Sequence, residues 1–462
     1  VAPTATKDSN VQVSANNPII STTTGAAVKN LDVNASAALT ITGGGSLIVS
    51  GTSTGNVTYN TTLGTENWYF VSSPVFGETY DNAYVAANSL AINGTNNAIG
   101  SYATADNTWS YMQTDASATF TPGTGYSVRR ATSAGSGDIS FTGTINTSDV
   151  AASVLTGGAD SFNLIGNPFT AYLNSASFLT DNTGSLDTQT IWVWNQASGI
   201  YETKVTADGF VLAPTQGFFV NASSATNLNI AESYQANTGS VFQKTTNTEV
   251  KLIMNDGTNN RFAKLYYLDN ATTGFDNGYD GKLFSGVAQP FAIYTHLVAD
   301  SEGKKYQVQS LPNSDLESMV IPIGVNANAG KEITFLAEAL NLPDGIKVFL
   351  EDRLANTFNE LSDNKTFKVN LSEALNDVGR FYLHTSSNAL SINDSVILEN
   401  VSIYKTNAST LKIVGLPNGI ANIKLINVLG KQLMNTSFNA NGAKEISLPN
   451  LAAGIYIVQL ET

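Results

Sequence analysis

The amino-acid sequence predicts an all-β, multidomain chain: a short β-solenoid end, then β-sandwich or jelly-roll domains, then a small C-terminal immunoglobulin-like sandwich. Three observations lead there. Only 13% of the 462 residues are charged, while Ser, Thr, Asn and Gly fill much of the remainder, as in extracellular β proteins. Strand-length apolar alternations separated by Gly, Asn, Asp and Pro recur along the whole chain. Two internal repeats mark its first half. A chain of 462 residues exceeds one sandwich. The expected divisions are residues 1–56, 57–245, 246–386 and 387–462.

The first repeat sets Leu31-Asp32-Val33, Leu39-Thr40-Ile41 and Leu47-Ile48-Val49 at a spacing of eight, with the turn-formers Asn34-Ala35-Ser36 and Gly43-Gly44-Gly45 between them. Strands this short cannot bury a face alone, and stacking them is the usual solution, so residues 1–56 are read as the end of a β-solenoid stalk.

The second repeat is longer. Trp68-Tyr69-Phe70-Val71-Ser72-Ser73-Pro74 aligns with Phe162-Asn163-Leu164-Ile165-Gly166-Asn167-Pro168 at an offset of 94. Pro122-Gly123-Thr124-Gly125-Tyr126-Ser127-Val128 aligns with Pro214-Thr215-Gln216-Gly217-Phe218-Phe219-Val220 at an offset of 92. Two landmarks at nearly one offset imply a duplicated β unit within residues 57–245, forming either two sandwiches or one shared jelly roll.

Residues 246–386 alternate as strands at Val250-Leu252-Met254, Ala263-Leu265-Tyr267, Tyr306-Val308, Ile333-Phe335, Val348-Leu350, Phe367-Val369 and Phe381-Leu383. Seven short strands in such a span predict an immunoglobulin-like sandwich. Helix is suggested only over residues 338–340 and 371–377, and Ser386-Ser387-Asn388 reads as a hinge.

Beyond that hinge, Val401-Ser402-Ile403-Tyr404, Leu411-Lys412-Ile413 and Ile423-Lys424-Leu425-Ile426 lead into Asn427-Val428-Leu429-Gly430, and Gly454-Ile455-Tyr456-Ile457-Val458 follows near the end. Short alternating strands with Gly or Pro-Asn turns predict a small antiparallel sandwich. The wording of these segments, from about residue 390 to 462, resembles the C-terminal sorting domain of type IX secretion substrates in gliding and related Gram-negative bacteria. Two departures stand out. Lys405-Thr406-Asn407 occupies the place of the family's Pro-Asn-Pro, and the family's final Lys- and Ile-rich strand would begin where this sequence stops at Thr462. Within the duplicated unit, Phe162 to Phe169 with the later Ala213-Pro214-Thr215-Gln216-Gly217-Phe218-Phe219-Val220 also resembles a β module of such cargo. The resemblance implies a secreted, outer-membrane-associated protein of the cell surface. Its sorting residues would be Asn427, Val428, Leu429, Gly430, Gly454, Ile455, Tyr456, Ile457 and Val458, held by an outer-membrane β-barrel carrier and the type IX translocon, with cleavage near the hinge. Gly430 and Gly454 are expected to supply turn geometry that a Cβ would strain.

Composition excludes some functions. A net charge of −14 repels nucleic-acid phosphates. The chain has no cysteine, which excludes disulfides and thiolate metal sites. It has no apolar run near the roughly 18 residues a membrane-spanning helix needs. Val1-Ala2-Pro3 begins without a basic or apolar leader region, so any export signal is expected to lie upstream or to have been removed. The two histidines, His296 and His384, lack the neighbours of a zinc site or a Ser-His-Asp triad, and the carboxylates sit in turns without a glycosidase signature.

Two groups are candidate binding residues. Asp276 and Asp280, in a Gly-containing loop with Asp269, Asn270 and Asn277, offer oxygen ligands for calcium or form Asx-turns without it. Trp192, Trp194 and Tyr201 offer a platform for sugar rings or pack a sandwich core, and Trp109 with Tyr111 occupies the comparable place in the first half. Asp394-Ser395-Val396 fits a short bacterial O-glycosylation pattern. Together these features lead to the expectation of a non-enzymatic adhesin or stalk without a resident cofactor, calcium aside, that meets surface polysaccharide or other partners through surfaces. The alternative is a carbohydrate-binding region of a larger polysaccharide-active enzyme.

Overall fold

The computed structural model describes residues 9–21, 25–132, 137–158, 161–237, 247–387, 401–407, 409–427, 431–452 and 454–461. The sorting residues Val428, Leu429 and Gly430 and the segment Asp394-Ser395-Val396 lie outside them. Strand accounts for 56% and helix for 5%, so the all-β class holds. No helix among the described residues is long and apolar enough to cross a membrane. The chain divides into two compact units, Val1–Lys244 with Phe284–Gly286, and Thr245–Leu283 with Val287–Thr462.

The first unit begins with three parallel ladders. Asn10–Val13, Asn30–Val33 and Ser53–Thr54 form one; Ile19–Ile20, Leu39–Ile41 and the start of Val57–Thr62 form the second; Gly25–Val28 and Ser46–Val49 form the third. Val13, Ile20, Val28, Leu31, Ile41 and Val49 share one core among them. The three segments that recur every eight residues fall on three different ladders. Each corner turns the chain to a new side, so the stacking partner of Leu31 is Val11 and that of Ile41 is Ile20. Polar rungs cap the outside of the first ladder, with Asn30 Nδ2 donating to Asn10 Oδ1 at 2.7 Å and Thr54 Oγ1 to Asp32 Oδ1 at 2.6 Å.

Strand Val57–Thr62 joins this stack to the duplicated module, pairing parallel with Leu39–Ile41 and antiparallel with Asp138–Ile145. Each half of the module builds its own sheets. The first half orders Ile92–Asn93, Asn96–Ala103, Tyr126–Arg129 and Trp68–Val71, and the second orders Phe162–Gly166, Gly217–Asn221, Thr190–Asn195 and Ile200–Val205. The halves then cross reciprocally at the two sequence landmarks. Ser72 N–H donates to Thr215 O at 2.8 Å, and its counterpart Gly166 N–H donates to Gly123 O at 3.1 Å. Val71 bridges Gln216 while Ile165 bridges Thr124. The acceptors, Gly123 and Thr215, both hold left-handed backbone, at φ 83° and 66°. The crossing is close enough to require glycine. A Cβ on Gly166 would lie 2.3 Å from Ser72 Cβ, one on Gly217 2.9 Å from Phe70 Cβ, and one on Gly125 2.6 Å from Leu164 Cγ.

Two short helices, Asn82–Ala87 and Ser175–Asp181, occupy equivalent places in the halves, N-capped by the side chains of Asp81 and Asn174. They are too brief to show a 3.6-residue period in the sequence. Of the two segments suggested as helix, residues 338–340 belong to strand Glu332–Leu340 and residues 375–377 to strand Leu375–Ser386, with residues 371–374 a bend before it; Glu338 pairs with Lys251 and Leu375 with Ala327. Sheet pairing overrides the helix propensity of their Ala and Leu.

In the second unit, residues 248–387 form one eleven-stranded sheet where two facing sheets were expected. Every strand anticipated there is present. The sheet curls so far that its terminal strands, Thr357–Leu361 and Phe367–Asn370, are joined by a tight turn closed between Ser362 and Lys365. Val250, Leu265, Ile323, Phe335 and Phe381 meet in its interior. A parallel pair, Asn260–Leu268 with Tyr306–Pro312, interrupts the antiparallel order. At the expected hinge, Ser387 donates from both N–H and Oγ to Glu317 Oε2.

The C-terminal sheet orders Ser402–Asn407, Thr410–Asn427 and Gln432–Ser447, with Tyr456–Glu461 also on Thr410–Asn427. Pro417 and Asn418, expected in a turn, lie inside the 18-residue strand Thr410–Asn427. Register shifts between Val414 and Gly419 bend that strand. Leu411 and Ile413 before the bend and Ala421 and Ile423 after it then share one core.

The crossing of the halves yields a test. Gly166→Ala is expected to destabilise the first unit by about 1–3 kcal/mol through overpacking against Ser72. Gly184→Ala, where an added Cβ meets nothing within 4 Å, should be close to neutral. Urea unfolding of both variants checks the contrast.

Candidate functional site

The structure brings the two C-terminal motifs together. Asn427 pairs with Tyr456, Ile426 with Ile457 and Leu425 with Val458 across the ladder. Asn427 also opens the turn into the next strand, accepting on Oδ1 from Lys431 N–H at 2.9 Å and donating its own N–H to Lys431 O. Strand Tyr456–Glu461 alternates half-buried and exposed residues. Val458 and Leu460 pack on the core, and Ile457 stands 55% exposed on the other face. Ile455, just before the strand, is 78% exposed, and Tyr456 Oη donates to Ala452 O at 2.8 Å. Among the described residues this strand pairs on one side only, leaving an open sheet edge beside exposed isoleucines. Gly454 departs from its expected role: its backbone is not left-handed, and an added Cβ would meet only the Tyr456 ring at 3.7 Å.

The oxygen-rich loop is closed on itself. Asp276 Oδ2 accepts from Thr272 N–H at 2.6 Å and Oδ1 from Thr272 Oγ1 at 3.1 Å. Asp280 Oδ2 accepts from Asp276 N–H at 2.6 Å, and Oδ1 accepts from Ser310 N–H at 2.7 Å. The Asp280 side chain is fully buried, and burial raises its pKa to about 7 against the pull of those two N–H donors. Asp269 lies apart, accepting from Asn313 at 3.0 Å. Among the described residues no group of three or more His, Asp or Glu gathers as a metal cluster. The geometry is that of linked Asx-turns pinning the loop to strand Tyr306–Pro312.

Trp192 does not belong to a solvent-facing platform. It is 2% exposed, edge-on to Phe162 at 5.2 Å. Its strand is covered on both faces: Ile191 and Val193 enter one core, while Trp192 enters an aromatic cluster with Phe162, Leu164 and Phe219. Burying a ring even of Phe size stabilises by roughly 1.5–3 kcal/mol, which decides the inward orientation. Trp194 and Tyr201 stay half-buried, their rings meeting edge to face at 4.9 Å and 61°, with Trp194 Nε1 donating to Gln196 Oε1. Phe70 links the halves, stacking on Trp109 at 5.7 Å and meeting Phe219 edge-on at 5.4 Å. Phe70 and Phe162 lie inside the repeated landmarks, the one signal by which the sequence marks this cluster.

The histidines, partnerless in sequence, each face a carboxylate in the fold. His384 Nε2 lies 2.9 Å from Glu351 Oε2, whose other oxygen accepts from Arg353 Nε. His296 Nε2 lies 3.4 Å from Asp377 Oδ1.

Three outcomes are expected. The stability advantage of the wild type over Asp280→Asn should shrink as pH rises from about 4 to about 7. The buried acid keeps its proton to higher pH when folded than when unfolded, so its contribution is full on the acid side and lost toward pH 7. Asp280→Ala should lower the melting temperature equally in calcium-free and millimolar-calcium buffer, whereas a calcium-dependent difference would support the cation reading. Gly454→Ala should change stability by less than about 0.5 kcal/mol, as read by the same melting curves.

Residues 406–462 match the family model described as secretion system C-terminal sorting domain. No curated protein matches the chain.

Proposed function

We propose, from the premise that its sorting domain makes this chain an exported cargo of the type IX secretion system, that the upstream domains act as a surface-presented stalk and adhesin without enzymatic activity. The sorting domain interacts with the type IX machinery, and the protein is secreted to the cell surface. Its specific holder in this reading is an outer-membrane β-barrel carrier, met through the paired motif strands around Asn427 and Tyr456.

One observation carries the stalk reading. Strand Val57–Thr62 is shared by the parallel ladders on one edge and the duplicated module on the other, so a single sheet runs through both without a linker. Parallel ladders of this kind continue by adding coils. A module fixed to them by backbone hydrogen bonds is held at a defined angle, as presentation at a distance requires. The half-buried Trp194 and Tyr201 favour a second reading, in which the module binds surface polysaccharide as part of a larger enzyme.

Cells producing the whole protein should show it at their surface, and deletion of residues 402–462 should leave it in the periplasm; surface exposure of the truncated form would remove the sorting role. The purified chain should release no product from a polysaccharide and peptide panel. Retention on a glycan array that is lost in Trp194→Ala would favour the second reading over the first.

A further inference from the structure

Within the second unit the sorting domain packs on the domain before it through a contact that sets one carboxylate beside a small apolar cluster. Lys412, on strand Thr410–Asn427, pairs with Oδ2 of Asp377, on strand Leu375–Ser386. The other oxygen of the same carboxylate lies 3.4 Å from His296 Nε2. One carboxylate therefore faces two bases, one from each domain. His296 is 1% exposed, and neither of its ring nitrogens reaches a hydrogen-bond partner among the described residues. Tyr294 stacks on the imidazole at 5.9 Å, and Tyr404 of the sorting domain meets it edge-on at 6.1 Å. Lys305 lies over the Tyr294 ring at 4.5 Å.

An apolar cluster lies beside the ion pair, Val378 of the preceding domain packing with Tyr404, Val414 and Ala443 of the sorting domain. Arg353 Nη1 donates to Gly415 O at 3.0 Å. Gly379 and Gly442 bring the two backbones together, since a Cβ on Gly442 would lie 2.7 Å from Gly379 O. Both glycines hold left-handed φ, 127° and 72°. A cavity of about 330 Å³ found elsewhere in the chain has no counterpart in charge, whereas the groove beside this contact, about 310 Å³, is lined by Glu373, Asp377, Arg380 and Lys412.

We propose that this contact is an acid-opened latch, in which a proton on the buried His296 places a second cation beside Lys412 and Lys305 and releases the sorting domain from the face of its own cargo. The docked form requires neutral imidazole. Burial depresses the His296 pKa first; Asp377 opposes that shift, and Lys305 and Lys412 add to it. Burial also raises the hydroxyl pKa values of Tyr294, Tyr382 and Tyr404, so these rings stay neutral across the range in question. Glu445 is the remaining charge acting on Tyr404. The sign follows from linkage. An undocked imidazole takes up a proton near its ordinary value of about 6.5, while the docked one resists to lower pH. Docking is therefore complete above that value and weakens as pH falls below it.

Hydrogen exchange of the full chain at pH 7.5 and 5.5, corrected for intrinsic rates, reads the latch. Residues 402–416 and 439–446 should lose protection by about tenfold at pH 5.5, a coupling of ordinary size, while residues 250–254 keep theirs. Lys412→Met should exchange fast at both pH values and His296→Phe slowly at both. Asp377→Lys should open the contact at pH 7.5, and Asp377→Lys combined with Lys412→Asp should close it again. Equal protection of the wild type at both pH values would overturn the proposal, as would a pH difference that persists in His296→Phe. Should His296→Phe fail to fold, the charge exchange decides, and failure of the double variant to regain protection counts against the latch.

Discussion

The first unit depends on a backbone crossing that glycine alone permits. Ser72 and Thr215 meet at one place, Gly166 and Gly123 at the equivalent one, and Gly125 and Gly217 let each half lie directly on a strand of the other. A hydrogen bond nets only about 1 kcal/mol, so the two crossing bonds do not by themselves hold the module. Their consequence is positional. With the backbones this close, Phe70 reaches Phe219, and Trp109 and Tyr201 close over them. The duplication is therefore structural as well as historical: each landmark in one half is complementary to the other landmark in its sibling.

The parallel ladders inherit their orientation from the same module. Strand Val57–Thr62 belongs to both, and further ties come from Thr170, whose Oγ1 donates to Leu47 O at 2.7 Å, and from Ser46, whose Oγ donates to Asn237 O at 2.5 Å. An apolar stack that starts with two- to four-residue strands gains a fixed base in this way. The outward polar rungs of Asn10, Asn30 and Asp32 keep its flank soluble with few charges, consistent with the acidic but charge-poor composition.

In the second unit one sheet does the work of two. Curling brings both ends of the strand order to a single tight turn and encloses a core without a facing sheet. The sorting domain reaches the same end by bending. Its long strand is kinked between Val414 and Gly419, so one sheet folds over its own apolar face. A domain of about 60 residues has little core to spare, and its contact with the preceding domain matters correspondingly more. There the buried imidazole, the shared carboxylate and Lys412 make an electrostatic contact beside the apolar cluster of Val378, Tyr404, Val414 and Ala443.

Legible in the sequence were the all-β class, the position of seven of the eleven strands in residues 248–387, the existence and offset of the duplication, and the C-terminal sorting motifs. Period-two alternation and turn residues are local properties, and a repeat is visible wherever its wording survives. Tertiary structure alone decided what lies opposite what. Alternation says that Trp192 faces away from Ile191, and only the docking of the other half makes both faces interior. Acidic residues around Asp280 look alike in sequence, and the donor that Asp280 Oδ1 meets, Ser310 N–H, lies thirty residues away. Gly454 reads as a turn glycine, yet its φ is set by the path between strands. His296 and His384 acquire carboxylate partners 81 and 33 residues distant in sequence. Residue type and short-range spacing encode secondary structure, whereas burial, pKa and pairing are properties of the neighbours that a fold brings from far along the chain.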